Sequence, residues 1–296
     1  MAAQSKKTIY LIDGTSWLFK GYFAVDYRES IKGVPNNAVF GWCMIAFKFL
    51  RLYQPTHVSV LFDAGLKTFR NKIYPDYKAN RGLPPEDLKP QFKLCQKAAD
   101  IMGFHYELRK EFEADDLIAS MATLYEKKGF NVIIVSVDKD LRQLVNENIK
   151  ILDFKNEVIL GVNEIYQKMG VYPHQVIDFQ ALTGDAIDNV PGLKGVGEKT
   201  AIEILKLNIP ILKIIKNSDL LNSSKIRGLE SLKNRLKCSK DEYLLSKELV
   251  TLKSNIKSDW SVKNLKYRKI NKSKSSLFFN NMGFTRMVKM SENYYE

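Results

Sequence analysis

Short apolar runs alternate with helical apolar spacing along the first half of the chain. Three runs have the β-branched composition and the length of buried parallel strands: residues 8–12, 57–62 and 131–137. Apolar residues recur at helical spacing in three stretches between them: 37–53, 89–102 and 115–128. This alternation predicts an α/β fold with a mainly parallel central sheet flanked by helices on both faces.

The pattern changes after about residue 160. A weaker pair of strand patterns, 149–153 and 157–160, closes the α/β region, and strand patterns stop from about residue 162. Short helical stretches separated by Pro and Gly follow. We therefore expect an α/β domain over residues 1–170 and a smaller helical lobe over residues 171–296.

One segment interrupts the alternation. Residues 64–88 are basic and aromatic and lack a clean apolar face. That composition is typical of a mobile functional loop or arch rather than a core element.

Acidic residues follow all three strand patterns. Asp13 and Asp63 come directly after the first two, and Asp138 and Asp140 follow the third. In parallel sheets, ligands bind outside the carboxyl ends of the strands. The remaining candidates are Glu113, Asp115 and Asp116 at a helix start, and Asp185 with Asp188, which share a face if their turn is helical.

The convergence of these nine acids matters more than any one of them, because an Asp after a strand is often only a helix N-cap. Nine carboxylates at one edge repel each other unless cations neutralise them. Hard ions such as Mg²⁺ or Mn²⁺ prefer oxygen ligands, and two such ions can clamp a phosphodiester. The acids alone leave phosphatase, ribonuclease and DNA nuclease open.

The phosphatase alternative depends on the residues before Asp13. The stretch LIDGT resembles half of the DxDGT signature of aspartyl-phosphate phosphatases, in which the first Asp is the nucleophile. Leu11 occupies that place here, so the chemistry lacks its nucleophile.

The charge of the chain is uneven. The net charge is +13, and residues 206–275 contain 18 Lys and Arg against 6 Asp and Glu. A basic segment favours a polyanionic partner, because neutralised phosphates release counterions. The alternative is a solvated, Lys-rich helical surface.

Residues 191–201, PGLKGVGEKTA, have the composition of a phosphate clamp between two helices. Glycines allow close approach of the backbone, and the following helix N-terminus favours an anion. An ordinary Gly-rich turn is the alternative at this point.

Other features exclude several classes of protein. No apolar run reaches the roughly 18–20 residues that span a bilayer, and the N-terminus has no signal-peptide pattern. Cys43, Cys95 and Cys238 lack the spacing of a disulfide framework or a zinc site. We expect a cytoplasmic, nucleoid-associated protein without membrane contact.

Five ordered motifs resemble the 5′ nuclease superfamily of 5′→3′ exonucleases and flap endonucleases, and in particular the N-terminal domain of bacterial DNA polymerase I. They are LIDGTSWLFKGYFA, VLFDAGLKTFRNKIYPDYKANR, FEADDLIAS, SVDKDLRQLV and ALTGDAIDNVPGLKGVGEKTA, over about residues 8–206. The later FFNNMGFTRM is similar to the segment that closes that domain.

The resemblance implies a two-metal site of Mg²⁺ or Mn²⁺ on the nine acids. Asp13, Asp63, Glu113 and Asp115 lie mainly around one metal in that family. Asp140, Asp185 and Asp188 lie around the other, and Asp116 and Asp138 lie near or between them.

It also implies roles for other residues. Segment 64–88 matches the family's helical arch, where Lys78 and Arg81 contact the scissile phosphate, Tyr77 stacks a base and Arg70 contacts DNA. Lys20 stands where relatives usually have Arg, so it keeps the charge but loses the bidentate fork. The Gly-rich turn, at about 180–207, matches a helix–hairpin module that binds duplex DNA and often K⁺. Its contacts are Lys194, Gly195, Gly197, Lys199 and Thr200.

The implied protein is a monomeric, structure-specific 5′ nuclease for DNA with a 5′ flap or end, serving replication and repair beside a polymerase module or partner. Two alternatives remain. A related metal-dependent ribonuclease shares the strand-end acids but does not need the arch or the Gly-rich turn. A catalytically silent DNA-binding module is disfavoured by the intact acids.

Overall fold

A computed structural model describes residues 7–65 and 67–295, and its centre is one six-stranded sheet. The strands are β1 Thr8–Asp13, β2 His57–Asp63, β3 His105–Arg109, β4 Asn131–Val135, β5 Ile149–Asp153 and β6 Val158–Leu160. Their order is β3-β2-β1-β4-β5-β6, and only β6 pairs antiparallel with its neighbour. The predicted α/β class and mainly parallel sheet are confirmed.

Thirteen α-helices are found in the described residues, and 3₁₀ turns connect several of them. The helices are α1 Gly14–Ala24, α2 Asn37–Tyr53, α3 Phe69–Ile73, α4 Lys89–Ile101, α5 Ala114–Lys127, α6 Val162–Met169, α7 Val176–Thr183, α8 Glu198–Lys206, α9 Ile211–Lys216, α10 Leu229–Leu236, α11 Lys240–Val250, α12 Lys272–Asn281 and α13 Thr285–Ser291. In this part of the chain, no helix combines the length and apolar character needed to cross a membrane.

The sheet separates two apolar cores, because alternate residues of a strand point to opposite faces. Ile9 and Leu11 of β1 belong to the core shared with α5 and the helices that follow β6. Ile12 belongs to the opposite core, where Trp17 of α1 packs against Trp42 of α2. Both faces of the sheet are therefore buried, as a parallel sheet requires.

The strand order places a crevice at the end of β1. This strand pairs with β2 on one side and with β4 on the other, although the chain reaches β4 only after β3. Such a reversal of strand order is the switch point at which α/β sheets bind ligands. Asp13 ends β1 at this point.

Two elements were not predicted from the apolar pattern. The strand β3, HYELR, has only partly buried or exposed residues because it lies at a sheet edge, so it lacks a continuous apolar run. The helix α1 directly follows β1 and was included in the motif LIDGTSWLFKGYFA without being assigned as a helix. The strand predicted over residues 131–137 is β4, and it ends at Val135 rather than at residue 137.

The C-terminal end of the expected helical lobe, residues 171–296, packs against the α/β domain. The backbone N–H of Val58 donates to the Leu265 carbonyl, and that of Arg268 donates to the Gly103 carbonyl. Phe279 and Phe284 of the last helical region pack in the core that contains Trp42. The chain thus returns to the α/β domain, because these apolar side chains complete the second face of its sheet.

The arch segment, 64–88, is also less helical than its resemblance implied. Leu66 lies outside the described residues. The described part contains the five-residue helix α3 and, at residues 75–80 and 86–88, turns.

Close contact between α1 and α2 depends on two glycines. A Cβ on Gly41 would lie 2.4 Å from Cα of Gly21. We expect Gly41→Ala to destabilise the protein by about 1–3 kcal/mol, because the two backbones must separate. Urea unfolding measures this, with Gly82→Ala as the control, since nothing lies within 4 Å of a Cβ there. Equal unfolding midpoints for both variants would contradict this view of the helix contact.

Candidate metal centre

Backbone hydrogen bonds hold Asp13 and Asp63 at the ends of their strands. Oδ1 of Asp13 accepts from the Ser16 N–H at 2.8 Å and so caps α1. Oδ1 of Asp63 accepts from the Ala114 N–H at 2.8 Å, where α5 begins. Each carboxylate is thereby fixed at a helix N-terminus, where the helix dipole favours negative charge.

Glu113 precedes α5 and receives three donors. Its Oε1 accepts from Lys78 Nζ at 2.7 Å. Its Oε2 accepts from Arg70 and from the Tyr77 hydroxyl, both at 3.3 Å. The arch segment is therefore tied to the start of α5 through one carboxylate.

The acids that follow β4 form a chain of hydrogen bonds with Asp13. The Ser136 hydroxyl donates to Oδ2 of Asp13 at 3.1 Å and accepts from the Asp138 N–H at 3.1 Å. Oδ1 of Asp138 accepts from the Asp140 N–H at 2.8 Å. The local backbone thus places two further acids beside the β1 switch point.

Asp185 and Asp188 lie close together in a turn. Their shared face was expected only if this segment were helical, and it is not. Backbone hydrogen bonds between Asp185 and Val190 close this turn. Oδ1 of Asp185 accepts from the Ile187 N–H at 2.9 Å. Both side chains are more than nine-tenths buried.

A cavity of about 210 Å³ lies between these elements. Six of the nine candidate acids line it: Asp13, Asp63, Glu113, Asp115, Asp138 and Asp188. Lys78 and Arg81 of the arch line it as well. Asp140 is connected to this cavity wall through its hydrogen bond to Asp138.

The nine acids fall into two groups by their ion pairs. Four make salt bridges with basic side chains: Glu113 with Lys78 and Arg70, Asp116 with Arg70, Asp185 with Lys139, and Asp188 with Arg81 and Lys78. Within residues 7–65 and 67–295, the other five make no salt bridge with Lys or Arg: Asp13, Asp63, Asp115, Asp138 and Asp140.

Three of the acids without a salt bridge have raised pKa values. Burial and the charges of Asp63 and Asp138 raise the pKa of Asp13 to about 7. Burial and the charge of Asp138 also raise the pKa of Asp140 to about 7. The pKa of Asp115 is raised well above its usual range for the same reasons. In contrast, the Lys139 ammonium lowers the pKa of Asp185 although burial opposes it.

The structure contradicts the expected DNA contact of Arg70, whose side chain is only 1% exposed. Its guanidinium makes a bidentate pair with Asp116 at 2.7 and 2.9 Å and donates to the Leu249 and Thr251 carbonyls. It joins the arch, the start of α5 and the end of α11.

Asp116, for which a metal role is expected, has protein partners at both carboxylate oxygens. Both of its oxygens are taken, since Oδ1 also accepts from the Lys253 N–H and Oδ2 from the Glu113 N–H. The side chain is fully buried. Asp116 therefore orients Arg70 and Glu113 and presents no free oxygen to an ion.

Tyr77 is also buried, at 5% exposure, so its ring does not offer the surface expected for base stacking. Its hydroxyl donates to Glu113 and Asp188, both at 3.3 Å. Lys78 and Arg81 do lie at the acids, Arg81 by a hydrogen bond to Asp188. Lys20 is half-buried and near Asp13, and burial lowers its pKa.

The Gly-rich turn lies between α7 and α8 and presents its predicted contact residues on the surface. Lys194, Gly195, Gly197 and Lys199 are exposed, and Thr200 is half-buried. α8 begins at Glu198 directly after Gly197. The turn is thus open to a large partner.

Sequence reasoning missed three polar residues that hold the acids. The Thr15 hydroxyl accepts from the Asp63 N–H at 2.9 Å. Ser136 joins Asp13 to Asp138, and the Gln180 amide donates to Asp140. The available signal for Gln180 was a polar residue between two apolar neighbours, Phe179 and Ala181, and α7 buries all three.

The donor set fits a hard divalent cation, because it consists of oxygens and leaves unpaired negative charge. Among the described residues, no three acidic, His or Cys side chains converge closely enough to hold an ion as they stand. Lys78 and Arg81 occupy oxygens of Glu113 and Asp188, so a cation there must compete with them. The five unpaired acids are the better ligands.

Comparisons with known proteins agree with this geometry. Residues 8–170 match the family model "5'-3' exonuclease, N-terminal resolvase-like domain", and residues 171–273 match "5'-3' exonuclease, C-terminal SAM fold". The chain is 36% identical to a 5'-3' exonuclease of Aquifex aeolicus, over 92% of this chain and 91% of that one. It is 35% identical to DNA polymerase I of Bacillus subtilis, of which it spans only 32%.

Solved structures show the same fold at low sequence identity. A T5 5'-exonuclease with bound zinc has a TM-score of 0.67 and 20% identity, over 98% of this chain and all of that one. The T5 D15 flap endonuclease (D155K), in a pseudo-enzyme-product complex with DNA and metal ions, has a TM-score of 0.68 and 19% identity, over 97% and 100% of the two chains.

The raised pKa values predict how metal-free protein responds to pH. Asp13 and Asp140 bind a proton more tightly when folded, at a pKa of about 7, than at the ordinary 3.8. Their protonation therefore stabilises the fold at low pH, and that contribution is lost as the pH rises through 7. In EDTA, we expect a lower Tm at about pH 7.5 than at about pH 5.5.

Calorimetry of Asp13→Asn and Asp140→Asn tests this explanation, with the exposed-site variant Asp259→Asn as control. Both site variants should show a smaller change in Tm between the two pH values. An unchanged pH dependence in both would contradict the role of these carboxyls.

Proposed function

The chain belongs to the 5′–3′ exonuclease family and is a nuclease, and we propose that it cleaves DNA at 5′ flaps and 5′ ends with two Mg²⁺ or Mn²⁺ ions. The observation that carries the metal site is the group of five acids without basic partners around the β1 switch point. Oxygen ligands with uncompensated charge suit divalent cations that bind a phosphodiester.

Asp13, Asp63, Asp115 and Asp138 would hold cations at the cavity, and Asp140 would hold one beside them. Glu113, Asp185 and Asp188 would complete the set as their basic partners move to the phosphate. When bound, such cations supply Lewis acidity and lower the pKa of water.

The arch residues contribute positive charge next to these acids. Lys78 is held by Glu113 and Asp188, and these charges raise its pKa against the effect of burial. It therefore stays an ammonium that offsets the charge developing on the phosphate. Arg81, whose side chain is half exposed, can present its guanidinium to the same phosphate from the cavity rim. Lys20 adds a positive charge near Asp13 but lacks the bidentate fork of an Arg.

The Gly-rich turn and the basic segment 206–275 would bind duplex DNA through its phosphates, without sequence preference. Lys194, Gly195, Gly197, Lys199 and Thr200 form the proposed contact, with K⁺ as a further ligand of the turn. The flap preference is supported by the likeness to the T5 flap endonuclease, whose complex contains DNA and metal ions.

The cellular setting is also a proposal. Relatives named DNA polymerase I contain a matching region in about a third of their length. This supports action during replication and repair, such as removal of primers or flaps, beside a polymerase module or partner. We propose a cytoplasmic, nucleoid-associated monomer.

Removal of an unpaired acid tests the metal site. Asp140→Ala should lower the rate of 5′-flap cleavage in Mg²⁺ by about a thousandfold, because several kcal/mol of charge stabilisation are lost. Single-turnover cleavage of a 5′-labelled flap measures the effect, with Asp259→Ala as the matched exposed control. Cleavage by Asp140→Ala at the control's rate would refute the ligand role of Asp140.

Salt dependence tests the Gly-rich turn. Lys199→Ala should bind flap DNA more weakly, and the slope of log affinity against log KCl should flatten by about 0.9 if one phosphate contact is lost. Fluorescence anisotropy in EDTA measures both values without cleavage. Lys127→Ala is the control, since it lies at the far end of α5 from the acids. Equal slopes for the two variants would exclude this contact.

A further inference from the structure

Gln180 stands out among the side chains that hold the acids. It lies on α7, is 2% exposed, and its Nε2 donates to Oδ1 of Asp140 at 2.5 Å. This contact uses the amide nitrogen, which only donates, so the amide oxygen remains available as an acceptor.

The amide is a neutral partner of Asp140, whereas two nearby acids have charged partners. Asp185 and Asp188 have Lys139 and Arg81 beside them, and these cations compensate the carboxylates. A hydrogen bond from an amide fixes the direction of the Asp140 carboxylate but leaves its negative charge uncompensated. That combination suits a ligand for a cation.

The second amide atom of Gln180 points to the same conclusion. Its Oε1 is buried and has no hydrogen-bond partner among the described residues. Buried polar atoms in native proteins are almost always paired with protein, water or an ion. An unpaired carbonyl oxygen next to the amide group that holds Asp140 is thus an acceptor available to a water molecule or an ion.

Gln180 also connects two parts of the acid cluster. Its backbone carbonyl accepts from the Gly184 N–H at 2.8 Å, directly before Asp185. Its side chain holds Asp140, which is linked through Asp138 and Ser136 to Asp13. The side chain of Gln180 therefore connects α7, which leads into the Asp185 turn, to an acid of the sheet edge.

We infer that Gln180 is a positioning residue that orients the Asp140 carboxyl group, without adding a compensating positive charge, as a ligand for a divalent cation. The inference rests on the proposed function, because it requires a cation at these acids. A Gln that only stabilised α7 would lose fold stability on substitution and leave metal affinity unchanged.

The test is a calorimetric titration of the EDTA-treated, dialysed full chain with Mn²⁺. Gln180→Met keeps the volume but removes the donor and the acceptor. Loss of a group that orients a metal ligand typically weakens affinity by about 10–100-fold. We expect the dissociation constant of the affected site to rise at least about tenfold.

Gln175→Met is the matched control. Gln175 precedes α7, its Nε2 donates to the Leu205 carbonyl at 3.1 Å and its Oε1 accepts from the Tyr172 N–H at 3.0 Å. The same substitution therefore also removes side-chain hydrogen bonds, here two of them. Gln175 makes none with the acids. We expect Mn²⁺ affinity close to wild type for this variant, with a Tm in EDTA that records the structural cost of the substitution.

A double-mutant cycle with Asp140→Asn separates the two hypotheses. If Gln180 acts through Asp140, then Gln180→Met has no further effect on Mn²⁺ affinity in the Asp140→Asn background. An undiminished effect in that background, or no effect of Gln180→Met alone, overturns the inference. No effect of Asp140→Asn on Mn²⁺ affinity instead overturns the ligand role of Asp140 in the proposed function, on which the inference rests.

Gln180→Leu serves as a second variant if Met packs poorly at this position. Both variants should show the same loss of Mn²⁺ affinity, since both lack the amide. A loss that follows the Tm of each variant rather than the absence of the amide would indicate a purely structural role.

Discussion

Mutual repulsion between carboxylates crowded at one edge of the sheet is the constraint on which the rest of this structure depends. The parallel strands deliver Asp13 and Asp63 to that edge, and the loop after β4 adds Asp138 and Asp140. Such a cluster is tolerable only where helix N-termini, hydroxyls and cations share its charge. The fold supplies the helix N-termini from its own backbone and the hydroxyls from residues such as Ser136. Part of the positive charge is left to bound ions.

The basic side chains divide the cluster into a compensated and an uncompensated part. Arg70 is the clearest case, because it neutralises Asp116 and also holds the Leu249 and Thr251 carbonyls at the end of α11. The helical lobe is thereby attached to the acid site through one buried guanidinium. Lys78 and Arg81 differ from Arg70 because they line the cavity. Their side chains can leave a carboxylate partner and pair with a phosphate instead.

The sheet and the position of the acids could be predicted from the sequence, because both follow from local patterns along the chain. Strand patterns ending in Asp predicted both the parallel sheet and the edge where the acids meet. What sequence reasoning missed depends on contacts between distant residues. Burial of Arg70 and Tyr77 arises from segments that pack over the arch, and the return of Phe279 to the first domain depends on a core shared across the sheet. Local sequence patterns do not predict such contacts between distant residues.

We propose that the uncompensated acids at the sheet edge bind the metal ions of a nuclease for 5′ DNA strands. Cleavage of a double-flap DNA, labelled on each strand and analysed for product length and end groups, tests it most directly. When Mg²⁺ is present, and only then, we expect release of the 5′ single strand and a 5′-phosphate on the remaining duplex. Equal cleavage in EDTA, or cleavage confined to the 3′ flap, would contradict it.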